Sequence, residues 1–284
     1  MSSFPHLKSV LCTEATLMRP DLQDWAERLK EKRGHLHHKV WEWCYICQAL
    51  DERGMLRPGR RGLGFAVGQE PLTALFASRG ARIVATDLYS GDAAAKGWIE
   101  TSQHAEGYAS INKRGICDEA GLRERVQFRF ADMNALDPGL FSGFDFAWSS
   151  CAFEHLGSLE HGRRFVLNAM KCLRPGGVAV HTTEFNVSSN KDTVSAGETV
   201  LYRRRDIDAL VKLVRAAGHR IDIEYDVGNS VADGTVDVPP YTHDKHLKLQ
   251  IGSYVATSIG LIITKGDAPS GSRLASFFRR WRTG

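Results

Sequence analysis

Residues 62–71 read Gly62-Leu63-Gly64-Phe65-Ala66-Val67-Gly68-Gln69-Glu70-Pro71. An apolar run, Leu63–Val67, leads into a turn built from small residues at 64, 66 and 68, and a helical stretch, 71–79, follows. Small residues at the carboxyl end of a strand let the backbone turn tightly and approach a ligand closely. A pyrophosphate loop of the G-x-G-x-x-G type fails here, because counting from Gly62 puts Val67 in the third glycine's place. There is no G-x-x-x-x-G-K-[ST] run either. With no basic residue in the turn, the loop suits a nucleoside without phosphates.

Working outward, strand-like runs alternate with helical ones. The strands are Leu63–Val67, Ala81–Thr86, Val126–Phe130, Phe144–Ser149 and Val178–Thr183; the helices span 71–79, 92–102, 104–115, 117–124 and 159–173. That alternation predicts parallel βαβ units. Residues 205–217 add an amphipathic helix ended by Gly218, and His219–Tyr225 and Thr257–Thr264 are strand-like. The 31 residues between these two runs have little periodicity, and a loop that long is usually functional. Upstream, Pro20 and Asp21 open one helix and His38–Arg53 forms a second, which together make a flank before the sheet.

The bulk properties fit this picture. The chain has 284 residues, 43% hydrophobic and 25% charged, with a net charge of +4. Those values exclude disordered, collagen-like and membrane-embedded chains. No apolar run approaches the ~20 residues of a spanning helix, and the first twenty residues lack the pattern of a secretory signal. Six cysteines in a chain of this length read as reduced thiols. Cys44 and Cys47 have C-x-x-C spacing, with His35, His37 and His38 upstream, but no second ligand pair at finger-like spacing accompanies them. Their helical spacing with Val40, Trp43 and Leu50 makes them core thiols, and no metal site is read from the sequence.

Taken in order, residues 61–184 resemble the class I S-adenosylmethionine-dependent methyltransferase family, whose first motif is a G-x-G-x-G loop. The resemblance implies a Rossmann-like, mostly parallel seven-stranded α/β sheet with helices on both faces, the strands near 219 and 257 completing it. It implies S-adenosyl-L-methionine as cofactor. It assigns Gly64, Phe65, Ala66 and Gly68 to the loop around the cofactor's methionine and ribose. Asp87 falls to the ribose hydroxyls, Leu88 to the adenine face, and Asp132-Met133 to the adenine edge. Phe144–Ser149 then matches the fourth strand, with Ser149 at the cofactor, and Leu173-Arg174-Pro175-Gly176-Gly177 the turn into the fifth. The family's acidic residue two places before the first glycine is Gly62 here, so Glu70 is the candidate for the cofactor's ammonium.

Direct methyl transfer needs mainly alignment, and a hydroxyl acceptor also needs a base. Glu154 and His155 follow the fourth strand, and an imidazole is the natural base near neutral pH. Glu184 follows the fifth strand and can orient a polyol. His243 and His246, in Val238-Pro239-Pro240-Tyr241-Thr242-His243-Asp244-Lys245-His246, are rival bases. The bland reading of each is a cap, a packed loop side chain or a solvated loop.

At the end of the chain Leu274, Phe277, Phe278 and Trp281 share one helical face, flanked by Arg273, Arg279, Arg280 and Arg282. Such a face binds an anionic membrane surface, or else packs on the domain itself or on a partner. The organisation is thus a flank (1–58), a cofactor-binding domain (59–265) and a linker with a basic tail (266–284). The reading is a cytoplasmic methyltransferase, with its tail available to the inner membrane face. Its preferred acceptor is a saccharide hydroxyl of a glycan or glycolipid. The alternatives are a small-molecule N- or C-methyltransferase and a non-catalytic cofactor-binding partner protein. Basic residues gathered in a tail rather than along a groove speak against nucleic acid.

Overall fold

The computed structural model describes residues 5–89, 91, 105 and 107–267. The expected helix 92–102, part of 104–115 and the amphipathic tail lie outside the described residues. The strands are Val10–Leu11 (β1), Arg61–Gly64 (β2), Arg82–Asp87 (β3), Val126–Phe130 (β4), Phe144–Ser149 (β5), Gly157–Ser158 (β6), Leu173–Asn186 (β7), Ala196–Gly197 (β8), Lys248–Ile251 (β9) and Tyr254–Thr264 (β10). The described helices are Glu14–Leu17 (α1), Pro20–Arg28 (α2), His38–Asp51 (α3), Leu72–Ser78 (α4), Tyr108–Ile111 (α5), Glu119–Arg125 (α6), Leu159–Cys172 (α7), Arg204–Ala216 (α8) and Val231–Gly234 (α9).

The main sheet runs β1-β10-β7-β5-β2-β3-β4, with β9 paired to β10. β4, β3, β2, β5 and β7 are mutually parallel, whereas β10 is antiparallel to β7, β1 and β9. The chain leaves β2 in one direction through β3 and β4, then returns to its other side with β5. The crevice at the carboxyl ends of β2 and β5 is therefore the topological switch point, where ligands bind in such sheets.

Hydrophobic side chains explain the layers. All six residues of β5 are buried, as expected for a strand covered on both faces. One core cluster joins the sheet to α2, α3 and α4; another joins it to α7 and α8. Helix α7 begins at Ser158, whose hydroxyl accepts the His161 N–H, and buries Phe165, Val166, Ala169 and Met170. Helix α3 lies so close to β10 that a Cβ on Gly260 would stand 2.1 Å from the Tyr45 ring. Cys44 and Cys47 are free and fully buried on α3.

Two differences from the sequence reading concern the edge. His219–Tyr225 forms isolated bridges, Arg220 with Thr264 and Ile223 with Ser9, instead of a strand. The run divides its backbone bonds between two partners, and β1, from the expected helical flank, supplies the edge strand. The long connection 226–256 is also not structureless, since it contains α9 and β9. Among the described residues no helix is long and apolar enough to cross a membrane.

Candidate active site

At the end of β2 the chain turns through Ala66 (φ 46°) and Gly68 (φ 52°), both in the left-handed region. Three bonds fix the turn: the Phe65 N–H donates to Trp148 O (2.9 Å), the Val67 N–H to Thr86 O (3.0 Å) and the Thr86 hydroxyl to Gly64 O (2.8 Å). A Cβ on Gly64 would come within 2.5 Å of the Trp148 and Val67 side chains, so only glycine fits at this close approach. Asp87, at the end of β3, is buried. Its carboxylate accepts the N–H groups of Gly68 (3.0 Å), Leu88 (2.8 Å) and Ala105 (3.0 Å).

Beside this turn opens a cavity of about 440 Å³. Its lining includes Ala66, Gly68, Glu70 and Asp87, Ser150, Cys151, Glu154, His155 and Glu184, and Lys39 and Trp43 from α3. The remaining sequence candidates lie elsewhere. Phe65 is buried edge-on against Phe165, and Met133 is in the core. Ser149 is fully buried, with its hydroxyl 2.8 Å from His181 Nδ1. Gly64 and Leu88 back the turn, while Asp132 is exposed and accepts the Asn134 N–H (2.8 Å). His243 and His246 do not line the cavity; they lie against the His37 ring instead.

Local chain geometry presents the polar groups. The 3₁₀ turn Phe153–His155 follows β5. Its Glu154 is fully buried, and one carboxylate oxygen accepts the Thr183 hydroxyl (2.9 Å) while Oε1 has no hydrogen-bond partner. Glu184 of β7 accepts the Cys151 thiol at 3.4 Å, and its Oε2 is likewise buried without a partner. Unpartnered buried oxygens are costly, and both of these belong to residues that line the cavity. His155 Nδ1 lies 2.8 Å from the Glu198 carbonyl and 3.2 Å from the Thr199 hydroxyl. A carbonyl only accepts, so Nδ1 carries the proton and Nε2 holds the ring's lone pair.

Helix α3 contributes residues that the sequence reading did not select. Lys39 Nζ sits 3.2 Å from Glu42 and 3.6 Å from Glu70. Glu42 is fully buried and also accepts the hydroxyls of Ser150 (3.0 Å) and Ser258. Burial pushes its carboxyl up, but Lys39, His38 and the two serines prevail and hold it at about 2. The signal was a charged i,i+3 pair within a helix of which eleven residues are buried.

Burial, then the neighbouring Glu154 and Glu42, push Glu184 up to about 8. Burial likewise pushes Glu70 up to about 7, against the pull of Lys39. A carboxyl raised by folding stabilises the protein below its unfolded value, and this stability is lost as pH rises through the folded value. His37, His38 and His181 are held by burial at about 3, about 4 and about 3. From about one pH unit above 6.5 they are largely neutral in both folded and unfolded chains and add little slope. Between pH ~7.5 and 8.5 the melting temperature of the free protein is therefore expected to fall as pH rises. Glu184→Gln, neutral throughout, should flatten that slope in a calorimetric pH series; an equal slope in the variant contradicts the assignment.

The family model described as "Methyltransferase domain" matches residues 63–181. Residues 63–181 thus form a methyltransferase domain, and S-adenosylmethionine is the cofactor. No curated protein matches the chain significantly. Solved structures similar to it include a DhpI–SAH complex, at 15% identity and TM-score 0.46 over 89% of this chain and 99% of that one. A putative sarcosine dimethylglycine methyltransferase from Galdieria sulphuraria gives 14% and 0.49 over 81% and 84%. The cyclase SpnF gives 16% and 0.47 over 78% and 82%.

The residues present fit that cofactor: a turn without basic side chains, a glycine cradle at Gly64, and the Asp87 carboxylate at the switch point. Asp87→Asn is expected to weaken S-adenosylhomocysteine binding by about 1–3 kcal/mol, the scale of a charge-assisted hydrogen bond. Isothermal calorimetry checks this, and an affinity within twofold of wild type would count against a ribose role for Asp87.

Proposed function

We propose that this enzyme methylates a hydroxyl of a saccharide-type acceptor, with His155 as general base. The observation that carries the reading is the His155 ring: its Nδ1–H is anchored on Glu198 O and the ring forms part of the wall of the cavity shared with Gly68 and Asp87. When bound, S-adenosylmethionine supplies an electrophilic methyl on its sulfonium. His155 Nε2 would take the proton that the acceptor hydroxyl gives up. Glu154 Oε1 and Glu184 Oε2 accept neighbouring hydroxyls and so align the acceptor, and Glu70 meets the cofactor's ammonium. The basic aromatic tail, 273–282, would bring the domain to a membrane that carries a glycolipid acceptor.

A second reading is favoured by the acidic lining. Asp87, Glu70, Glu154 and Glu184 face Lys39 alone among cations in the described lining, which suits an amine acceptor. Release of S-adenosylhomocysteine with panels of sugars, glycolipid headgroups and small amines separates the two. Turnover with sugars supports the hydroxyl reading; turnover with amines alone overturns it.

A further inference from the structure

The structure brings together three histidines, one of which lies some 200 residues before the other two in sequence. His37 precedes α3, and His243 and His246 belong to the connection before β9. Their ring centroids lie 4.6 Å (His37–His246), 4.5 Å (His243–His246) and 5.7 Å (His37–His243) apart. One ring nitrogen from each lies within 4.8 Å of the others. We propose that His37, His243 and His246 form a binding site for a divalent transition-metal ion of the zinc class.

The surroundings are those of a prepared ligand set. Asp237 Oδ2 lies 2.6 Å from His246 Nδ1. A carboxylate accepts, so Nδ1 carries the proton and Nε2 keeps its lone pair for a metal. A carboxylate orienting the far nitrogen of a ligating histidine is the usual outer support of such sites. The same carboxylate accepts the His243 N–H (2.9 Å) and the Thr242 N–H (3.1 Å). One buried group thus orients one ligand ring and holds the backbone of the next. His243 sits in the left-handed region (φ 59°), an uncommon conformation for a residue with a Cβ. A third set of bonds ties this loop to the first ligand, with the His246 N–H donating to Leu36 O (2.7 Å) and the His38 N–H to His246 O (3.0 Å).

Coordination has one local cost. His37 Nδ1 accepts the Lys39 N–H at 3.1 Å and caps α3. Ligation through Nε2 moves the ring proton to Nδ1 and releases that cap. His243 is exposed, so the ion has a route in and solvent completes its coordination. Imidazole ligands suit zinc, copper and nickel, and they disfavour magnesium and calcium.

The ion would staple the segment before α3 to the connection that leads to β9. Both reach the candidate active site: Lys39 and Ile251 line the cavity, and His38 Nε2 lies 3.9 Å from Glu184 Oε1. The site is therefore structural, holding two walls of the cavity in register. It does not depend on the nature of the methyl acceptor.

The test uses the full chain, freed of metal with a chelator and titrated with Zn²⁺ by calorimetry and with Co²⁺ by absorption. The expected result is one ion per chain and a rise in melting temperature. The Co²⁺ spectrum should show ligand-field bands without a thiolate charge-transfer band. His243→Gln, on an exposed loop, should weaken binding at least ~10-fold, and Asp237→Asn by ~10–100-fold. Circular dichroism on both variants shows that they remain folded. Absence of binding, or binding unchanged in His243→Gln, overturns the proposal. So does a thiolate band that vanishes in Cys151→Ser, which would place the ion at Cys151, Glu154 and Glu184, whose ligand atoms also lie within 4.8 Å of one another.

Discussion

His155→Ala is expected to lower turnover by about 10²–10⁴-fold, the usual loss when a general base is removed, while S-adenosylhomocysteine affinity stays within about twofold of wild type. The split follows from position. His155 lines the cavity after β5, on a different element from the turn Gly64–Gly68 and from Asp87. Its Nδ1 meets the Glu198 carbonyl and the Thr199 hydroxyl. Losing the ring thus removes the proton acceptor and leaves the cofactor groups in place. Full activity in His155→Ala, with loss in His243→Ala or His246→Ala, would transfer the base to the late connection.

The largest stability effect is expected at Glu42. Glu42→Ala removes the acceptor of the Ser150 and Ser258 hydroxyls and the nearest partner of Lys39. Breaking a buried pair by removing one partner costs about 3–5 kcal/mol. Lys39 is 31% exposed and keeps Glu70 at 3.6 Å, so the lower end applies, about 3 kcal/mol. That corresponds to a melting temperature lower by on the order of 10 °C. Glu42→Gln keeps the shape and an acceptor for one serine, and should lose less. Differential scanning calorimetry decides; an alanine variant melting within a degree or two of wild type contradicts the network.

What the sequence made legible was local. The turn 64–68, Asp87 and the Glu154–His155 pair each sit at or shortly after the end of a strand, so chain order alone places them at the carboxyl edge of the sheet. Cavity-lining residues from α3 were hidden. The apolar spacing of Trp43, Cys44 and Cys47 identifies a buried helix, but not that its Lys39 and Glu42 face β5 and β10. The histidine cluster depends on contacts across some 200 residues, which no short-range pattern encodes. The Phe65 and Ser149 side chains are buried: adjacent residues of a strand point to opposite faces, so a motif can place backbone at a ligand while the side chain enters the core. The run 219–225 has strand-like alternation, yet its bonds are split between Thr264 and Ser9, a tertiary outcome that overrides propensity.

The central claim is that this cavity moves a methyl group from S-adenosylmethionine to a hydroxyl oxygen. Incubation with ¹³C-methyl-labelled S-adenosylmethionine and a mixture of saccharide and amine acceptors, followed by ¹³C NMR of the products, tests it most directly. The account predicts the label in an O-methyl ether resonance that is lost with His155→Ala. Label found only on nitrogen or carbon, or undiminished in that variant, would contradict it.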